Sequence, residues 1–368
     1  MKHINQILKS LLRSTYKNLI SLVVIIRSIL FTRIDTSPCF CGALRGSQGG
    51  PLVKSNLLMS HFGQNYLNFS LIYTFSGMPY ITPTALKFAK NRGFSVIHNQ
   101  NGVFYQGWYG KGWERQNEEM KSIYSKANLV LFQSKYCKTS SEFFLGNPAA
   151  ESQILYNAVD TSVFFPQRKI DSDNAITFLI AGKTGDRLQR LEGVLYGLAY
   201  ALKSGLNCRL MIAGPVSERV QQRILLLSEN LNLVSRVCFF GKYDRVTAPL
   251  LFKKADAFIT LNYKDSCPNS VLEALASGLP VVYSNTGGTP ELVTEECGVG
   301  LPCEEAWDKV YYPCSSLIGP AMIKVAENIP TFSRASRMRA VRKFDLACWL
   351  NAHEKIFEKF RKERTYGR

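Results

Sequence analysis

The sequence is short of acid and has no long apolar run. Against 45 Lys+Arg stand only 28 Asp+Glu, a net charge of +17. Residues 1–34 contain Lys2, Lys9, Arg13, Lys17, Arg27 and Arg33 and no acid at all. Residues 333–368 carry a further net +7, so 13 of the 17 excess charges lie at the two ends. A surface this basic attracts polyanions: nucleic acid, anionic lipid or a phosphorylated acceptor. No RNP-type aromatic string, zinc finger or helix-turn-helix signature accompanies the charge, which argues against nucleic acid as the partner. From Leu19 to Ile26 the chain is apolar except at Ser21, but Arg27 interrupts it. The patch falls well short of the ~20 apolar residues of a membrane span. The same break, and the lack of a small-residue cleavage site, argue against a signal peptide. The segment reads either as a basic, apolar interfacial helix that touches a membrane or as an early strand and helix of the first domain.

Metal templates are missing as well. The ten cysteines form no C-x2-C pair and no H-x3-H accompanies them. Cys39 and Cys41 are too close, and Cys297, Cys303 and Cys314 match no ligand spacing. They read as reduced thiols of a cytosolic protein. Apolar content of 46% with 20% charged residues excludes disorder, and 368 residues are too many for one ordinary core. Two domains are expected, and no internal repeat marks a solenoid.

The expected boundary is the Pro-containing polar run at about 160–175. Beyond it, strands at 176–181, 208–214, 236–241, 255–261 and 279–284 alternate with helices. In the first helix Leu188, Leu191, Leu195, Leu198 and Leu202 form one apolar stripe. Such alternation implies a parallel α/β sheet that binds ligands at the carboxyl ends of its strands. The loops at 182–190, 214–216, 241–245, 262–270 and 284–291 therefore gather there. In the first half, 70–75, 94–100 and 128–134 read as strands, and a helix is expected near 52–62. A last helix over about 345–363 has no strand after it.

Asp265 and Glu273 stand eight apart, one on a strand-end loop and one a turn into the next helix. The amides at that helix start favour anions, and a carboxylate so placed can accept two hydrogen bonds from a cis-diol. Around them run PNSVLEALASGLPVV (268–282) and GGTPELV (287–293), with NAVD at 157–160, QNGV at 100–103, QSKYCK at 133–138 and GGP at 49–51. In these segments the sequence resembles group 1 (family 4) glycosyltransferases over roughly residues 40–330.

The resemblance implies the GT-B fold: two Rossmann-like α/β domains facing across a cleft, with the C-terminal helix returning to the first. The expected domains are 1–168 with helix 345–368, on the acceptor side, and 169–344, binding the nucleotide sugar. It further implies a retaining, metal-independent hexosyltransferase that needs no cofactor beyond its nucleotide-diphosphate sugar donor. The acceptor would be a glycan or lipid-linked hydroxyl in cell-surface polysaccharide synthesis. The basic, apolar N-terminus and the charged C-terminus point to peripheral contact with an anionic membrane at the cytoplasmic face. The catalytic set is then Asp265, Glu273, Lys183 and Arg190, with Glu273 on the ribose hydroxyls and Asp265 on the transferred sugar. Asp265 stands where the family has Glu. Lys183 follows the first-strand Gly182 in the place of the family's Arg. Glu192 replaces the family's Lys before Gly193, leaving Arg187 or Arg190 to supply the second cation. Further donor contacts fall to Gly49, Gly50, Ser266, Cys267, Asn269, Ser270 and Arg187, and acceptor contacts to Gln100, Asn101 and Arg45. His98 reads as a core residue. Two competing readings are a nucleotide-sugar epimerase, which would need acid/base groups where QNGV offers amides, and a degenerate GT-B binding protein without turnover.

Overall fold

The computed structural model describes residues 2–30, 38–41, 50–77, 80–167, 174–182 and 187–366. The chain divides into two compact units, Met1–Tyr156 with Trp349–Arg368, and Asn157–Cys348. The second unit therefore starts earlier than the expected residue 169. The reason lies in its anchors: Arg337 donates to the carbonyls of Thr161 and Phe164, and Asn157 donates to that of Cys267. Residues 157–166 are thereby held to the second unit.

In chain order the first unit comprises α1 (Lys2–Leu30), β1 (Cys39–Cys41), α2 (Gly50–Phe62), β2 (Leu71–Phe75), α3 (Pro83–Asn91), β3 (Ser95–Gln100), α4 (Gln106–Tyr109), α5 (Trp113–Tyr124), β4 (Leu129–Phe132), α6 (Lys135–Leu145) and β5 (Glu151–Ile154). All five strands are parallel, in the order β1-β2-β3-β4-β5. Strands β2 and β4 are buried throughout, the signature of a sheet covered on both faces. Residues 2–30 form one continuous helix, so the early-strand reading of this segment does not hold.

The second unit runs β6 (Ile176–Ala181), α7 (Leu188–Lys203), β7 (Cys208–Ala213), α8 (Glu218–Asn230), β8 (Val237–Gly241), α9 (Ala248–Phe252), β9 (Ala257–Thr260), α10 (Asn269–Ala276), β10 (Val281–Ser284), α11 (Thr289–Leu292), β11 (Gly298–Leu301), α12 (Ser315–Glu327) and α13 (Ile329–Lys343). Its six parallel strands lie in the order β11-β10-β9-β6-β7-β8. The winding reverses between β6 and β9, and this switch point is where an open α/β sheet leaves a crevice for a ligand. Helix α14 (Leu346–Tyr366) starts in this unit, and from Trp349 onward it belongs to the first. There His353 bonds Tyr73 (Nε2 to OH, 3.0 Å), and Phe357 packs edge-on against Phe62 and Tyr73.

The core of the second unit is set by α7, whose Leu191, Val194, Leu195, Leu198 and Ala201 are buried at three- and four-residue spacing. α7 meets α12 through glycines. A Cβ on Gly197 would lie 2.6 Å from Ile318 Cγ2, and one on Gly319 would lie 2.5 Å from the Tyr200 ring. Gly197→Val therefore overpacks this contact and is expected to cost about 2 kcal/mol. Thermal denaturation checks this, and an unchanged midpoint would contradict the packing.

Candidate functional site

Three backbones converge at the carboxyl ends of β6, β7 and β8. Gly182 N donates to Ala213 O at 3.2 Å, and Gly214 N to Gly241 O at 2.7 Å. Gly214 has φ of 115°, and a Cβ there would meet Gly182 O at 2.1 Å, so only glycine fits. On the other side of the switch point, the loop after β9 carries Asn262, Tyr263, Lys264 and Asp265. Lys264 adopts a left-handed φ of 49°. Its ammonium pairs with Glu305 and lies 3.9 Å from the Trp307 ring centre. The loop after β10 closes onto it: Gly288 N donates to Asp265 O at 2.7 Å. A Cβ on Gly287 would lie 2.7 Å from that oxygen. The GG of the GGTPELV segment is thus a close-approach device that fixes Asp265.

The Asp265 carboxylate accepts from Cys267 N at 3.2 Å and from Asn262 Nδ2 at 3.3 Å. Arg190, in the first turn of α7, donates through its guanidinium to Asn262 Oδ1. The chain Arg190–Asn262–Asp265 spans the switch point, and a cavity lined by Ala181, Arg190, Thr260 and Asn262 adjoins it. Burial raises the Asp265 pKa, opposed by these hydrogen bonds and by the charges of Arg187 and Arg190. Burial lowers the Arg190 pKa to about 10, which still leaves it charged at neutral pH. Arg190 is buried and Arg187 partly exposed.

α10 follows from Asn269 with no side-chain cap at its N-terminus. Glu273 is its fifth residue, where 3.6-residue spacing puts it one turn in. Among the described residues its carboxylate accepts no hydrogen bond, and burial pushes its pKa up to about 7, offset in part by the charge of Arg245. The residue is half-buried, so its carboxylate is left open to a ligand that can donate hydrogen bonds to it. Tyr243 stands close enough that the charge of Glu273 adds to the burial that raises its own pKa. The sequence located the 241–245 loop at the strand ends but offered no motif that singled out Tyr243 or Arg245.

The remaining candidates divide. Ser266 and Cys267 are buried in the turn, and Ser270 is half-buried in the first turn of α10. The Asn269 side-chain oxygen is already taken by Asn157 Nδ2 at 2.9 Å, which also bonds Cys267 O at 2.9 Å. Asn157, which the sequence offers only as the first residue of the NAVD segment, therefore holds the turn between Asp265 and Glu273. Glu192 pairs with Arg223 of α8 at 3.9 Å. Lys183, Gly49 and Arg45 lie outside the described residues, and Gly50 opens α2.

In the first unit the amides of QNGV do different work from that expected. Gln100 is fully buried: its Oε1 bonds His98 Nε2 at 2.9 Å and its Nε2 donates to Gly102 O at 2.6 Å. It is a strut of the core, and its amide has no exposed surface for an acceptor. His98 is buried beside it, with Nδ1 2.9 Å from Thr74 Oγ1, and burial lowers its pKa to about 4, so it is neutral. Asn101 is partly exposed, and its Oδ1 accepts from Lys54. The Lys54 ammonium is buried and also donates to Asn99 at 2.7 Å and Gln133 at 3.1 Å. It ties α2 to the carboxyl ends of β3 and β4, a role with no local sequence signal. After β3 comes an exposed aromatic group: Trp108 stacks on Phe104 at 5.4 Å, with Tyr109 edge-on at 4.8 Å.

Residues 165–309 match the family model described as "Glycosyl transferases group 1". That stretch, less than half of the chain, is similar to group 1 glycosyltransferases. The N-acetyl-alpha-D-glucosaminyl L-malate synthase of Bacillus anthracis is 28% identical over 166 residues, 44% of this chain and 42% of that protein. The match thus spans under half of that curated relative. Among solved structures, the sucrose-phosphate synthase of Thermosynechococcus elongatus aligns at TM-score 0.64 and 17% identity, covering 86% of this chain and 83% of the other. Anabaena HepE, crystallised with UDP, aligns at TM-score 0.61 and 17% identity, covering 84% and 82%. The two parallel-sheet units have the GT-B fold.

Proposed function

We propose that this chain works within a retaining glycosyltransferase that moves a sugar from a nucleoside diphosphate to a hydroxyl of a glycan or lipid-linked acceptor. The observation that carries this reading is Glu273: a half-buried carboxylate that accepts no hydrogen bond among the described residues, its pKa raised by burial, one turn into a helix without a side-chain cap beside a glycine-lined switch point. Two ribose hydroxyls would donate to it, and the start of α10, which no side chain caps, would receive sugar or phosphate oxygens. Asp265 would hold the transferred sugar, itself positioned by Asn262 and Arg190. Arg187 and Lys183 would face the diphosphate.

In the reaction, the acceptor oxygen bonds the anomeric carbon on the face from which the diphosphate departs. The carbon–oxygen bond to the diphosphate breaks, and the departing oxygen takes the acceptor's proton. The cations stabilise the charge that develops on that oxygen, so the scheme calls for neither a protein nucleophile nor a metal. HepE crystallised with UDP, which makes UDP-sugars the first donors to test. The exposed Trp108 and Tyr109 favour a glycan acceptor, since aromatic faces stack on sugar rings. Cell-surface polysaccharide synthesis at the cytoplasmic membrane face is the setting this reading implies.

The test is a panel of UDP-, GDP- and ADP-sugars assayed for released nucleotide, with Glu273→Ala as control. One donor is expected to be hydrolysed slowly without acceptor, and the variant to release none. A degenerate binding protein is the second reading, favoured by Glu192, which pairs with Arg223 where the family has a lysine. Tight binding of one nucleotide sugar with no release from any would select it.

A further inference from the structure

Helix α1 has two opposite faces with different surroundings. On the inner face Ile20 and Val24 are buried in the core of the first unit, Ser21 Oγ accepts from Thr82 N at 2.9 Å, and the Arg27 guanidinium lies 5.9 Å from Phe69 and 5.8 Å from Phe94. These contacts fix how the helix is rotated. On the outer face Leu8, Leu12, Leu19, Leu22, Ile26 and Ile29 are each 43–60% exposed. At 3.6 residues per turn they fall within an arc of about 100° and run for about 32 Å along the helix. An apolar stripe of this size is seldom left bare in water.

The charge of the segment says what covers it. Besides the buried Arg27, residues 1–34 hold five Lys/Arg and no acid, and Arg13 is exposed. Anionic headgroups would be drawn to it, while the stripe enters the acyl boundary. No helix among the described residues is long and apolar enough to cross a membrane, which suits a helix lying in the interface plane.

We propose that α1 docks the first unit on an anionic lipid bilayer, stripe down. This rests on the helix alone and stands or falls separately from the transferase reading. The test is flotation of the full chain with phosphatidylcholine vesicles, with and without phosphatidylglycerol, at moderate salt. The wild type is expected to float with the anionic vesicles and much less with the neutral ones. Leu12→Glu/Leu22→Glu/Ile26→Glu is expected to weaken binding about a hundredfold or more, since three buried side chains are lost from the lipid. Its thermal midpoint and nucleotide affinity should match the wild type, because the three positions face away from the core. Arg13→Ser/Lys17→Ser should retain some lipid binding but lose much of the preference for anionic vesicles. The proposal is overturned if the wild type floats with neither vesicle or if the triple variant floats as well as the wild type. It is also overturned if lipid-free protein forms a dimer that the triple variant breaks, for then a second copy covers the stripe.

Discussion

Glu273→Ala lowers kcat/KM for the donor by about 10²–10³-fold, and most of the loss appears in nucleotide affinity. The magnitude follows from two hydrogen bonds to a charged acceptor, each contributing about 1.5–3 kcal/mol, with the lower end expected because removing the carboxylate also removes its burial penalty. That penalty makes a second, pH-dependent prediction. Burial pushes the Glu273 pKa up to about 7 in the folded protein from its ordinary 4.5, so the folded state holds a proton that the unfolded state releases. Stability therefore falls as pH rises from about 4.5 to about 7, and Glu273→Gln flattens that part of the curve. Ribose hydroxyls favour the ionised form, so binding releases a proton near pH 6. Calorimetry in two buffers of different ionisation enthalpy reads this release directly, and Glu273→Gln should abolish it.

Asp265→Asn keeps the size of the side chain and its contact with the Cys267 amide but removes the negative charge at the end of the Arg190–Asn262 chain. Turnover is expected to fall about 10²-fold with donor affinity changed less than threefold, because the role proposed for Asp265 is at the transferred sugar and in the transition state. The buried Arg190 loses a compensating charge as well, so the thermal midpoint should drop. Asp265→Glu restores the residue the family usually has. It serves as the control: recovery of turnover relative to Asn ties the effect to charge. Single-turnover and binding measurements on the three proteins separate these outcomes, and loss of donor affinity alone would assign Asp265 to the nucleotide instead.

The second unit was legible in the sequence because its elements obey simple periods. The α7 stripe, the apolar strands β6, β7 and β9, and the helix that carries Glu273 all lie within a few residues of their expected places. What escaped had contrary local chemistry. β11 reads GVGL, with two glycines and little strand propensity, and β5 reads ESQI at a sheet edge with exposed ends. β1 is three residues long, and α12 carries Gly319 and Pro320 inside a helix, both breaker signals. Site residues followed the same division. Glu273 and Asp265 sit in a continuous motif and could be read. Lys54 and Asn157 gain their roles from partners far along the chain, at Gln133 and Cys267, which no local pattern announces. Gln100, expected to contact the acceptor, is turned into the core by β3, where its amide bonds His98 and Gly102.

The grip of Glu273 on a ribose is tested most directly by comparing a nucleoside diphosphate with its 2′-deoxy form, on the wild type and on Glu273→Ala. The wild type is expected to bind the deoxy form about tenfold or more weakly, and the variant to bind both alike. If the variant discriminates between them as strongly as the wild type, the carboxylate does not hold the sugar, and the donor site lies elsewhere.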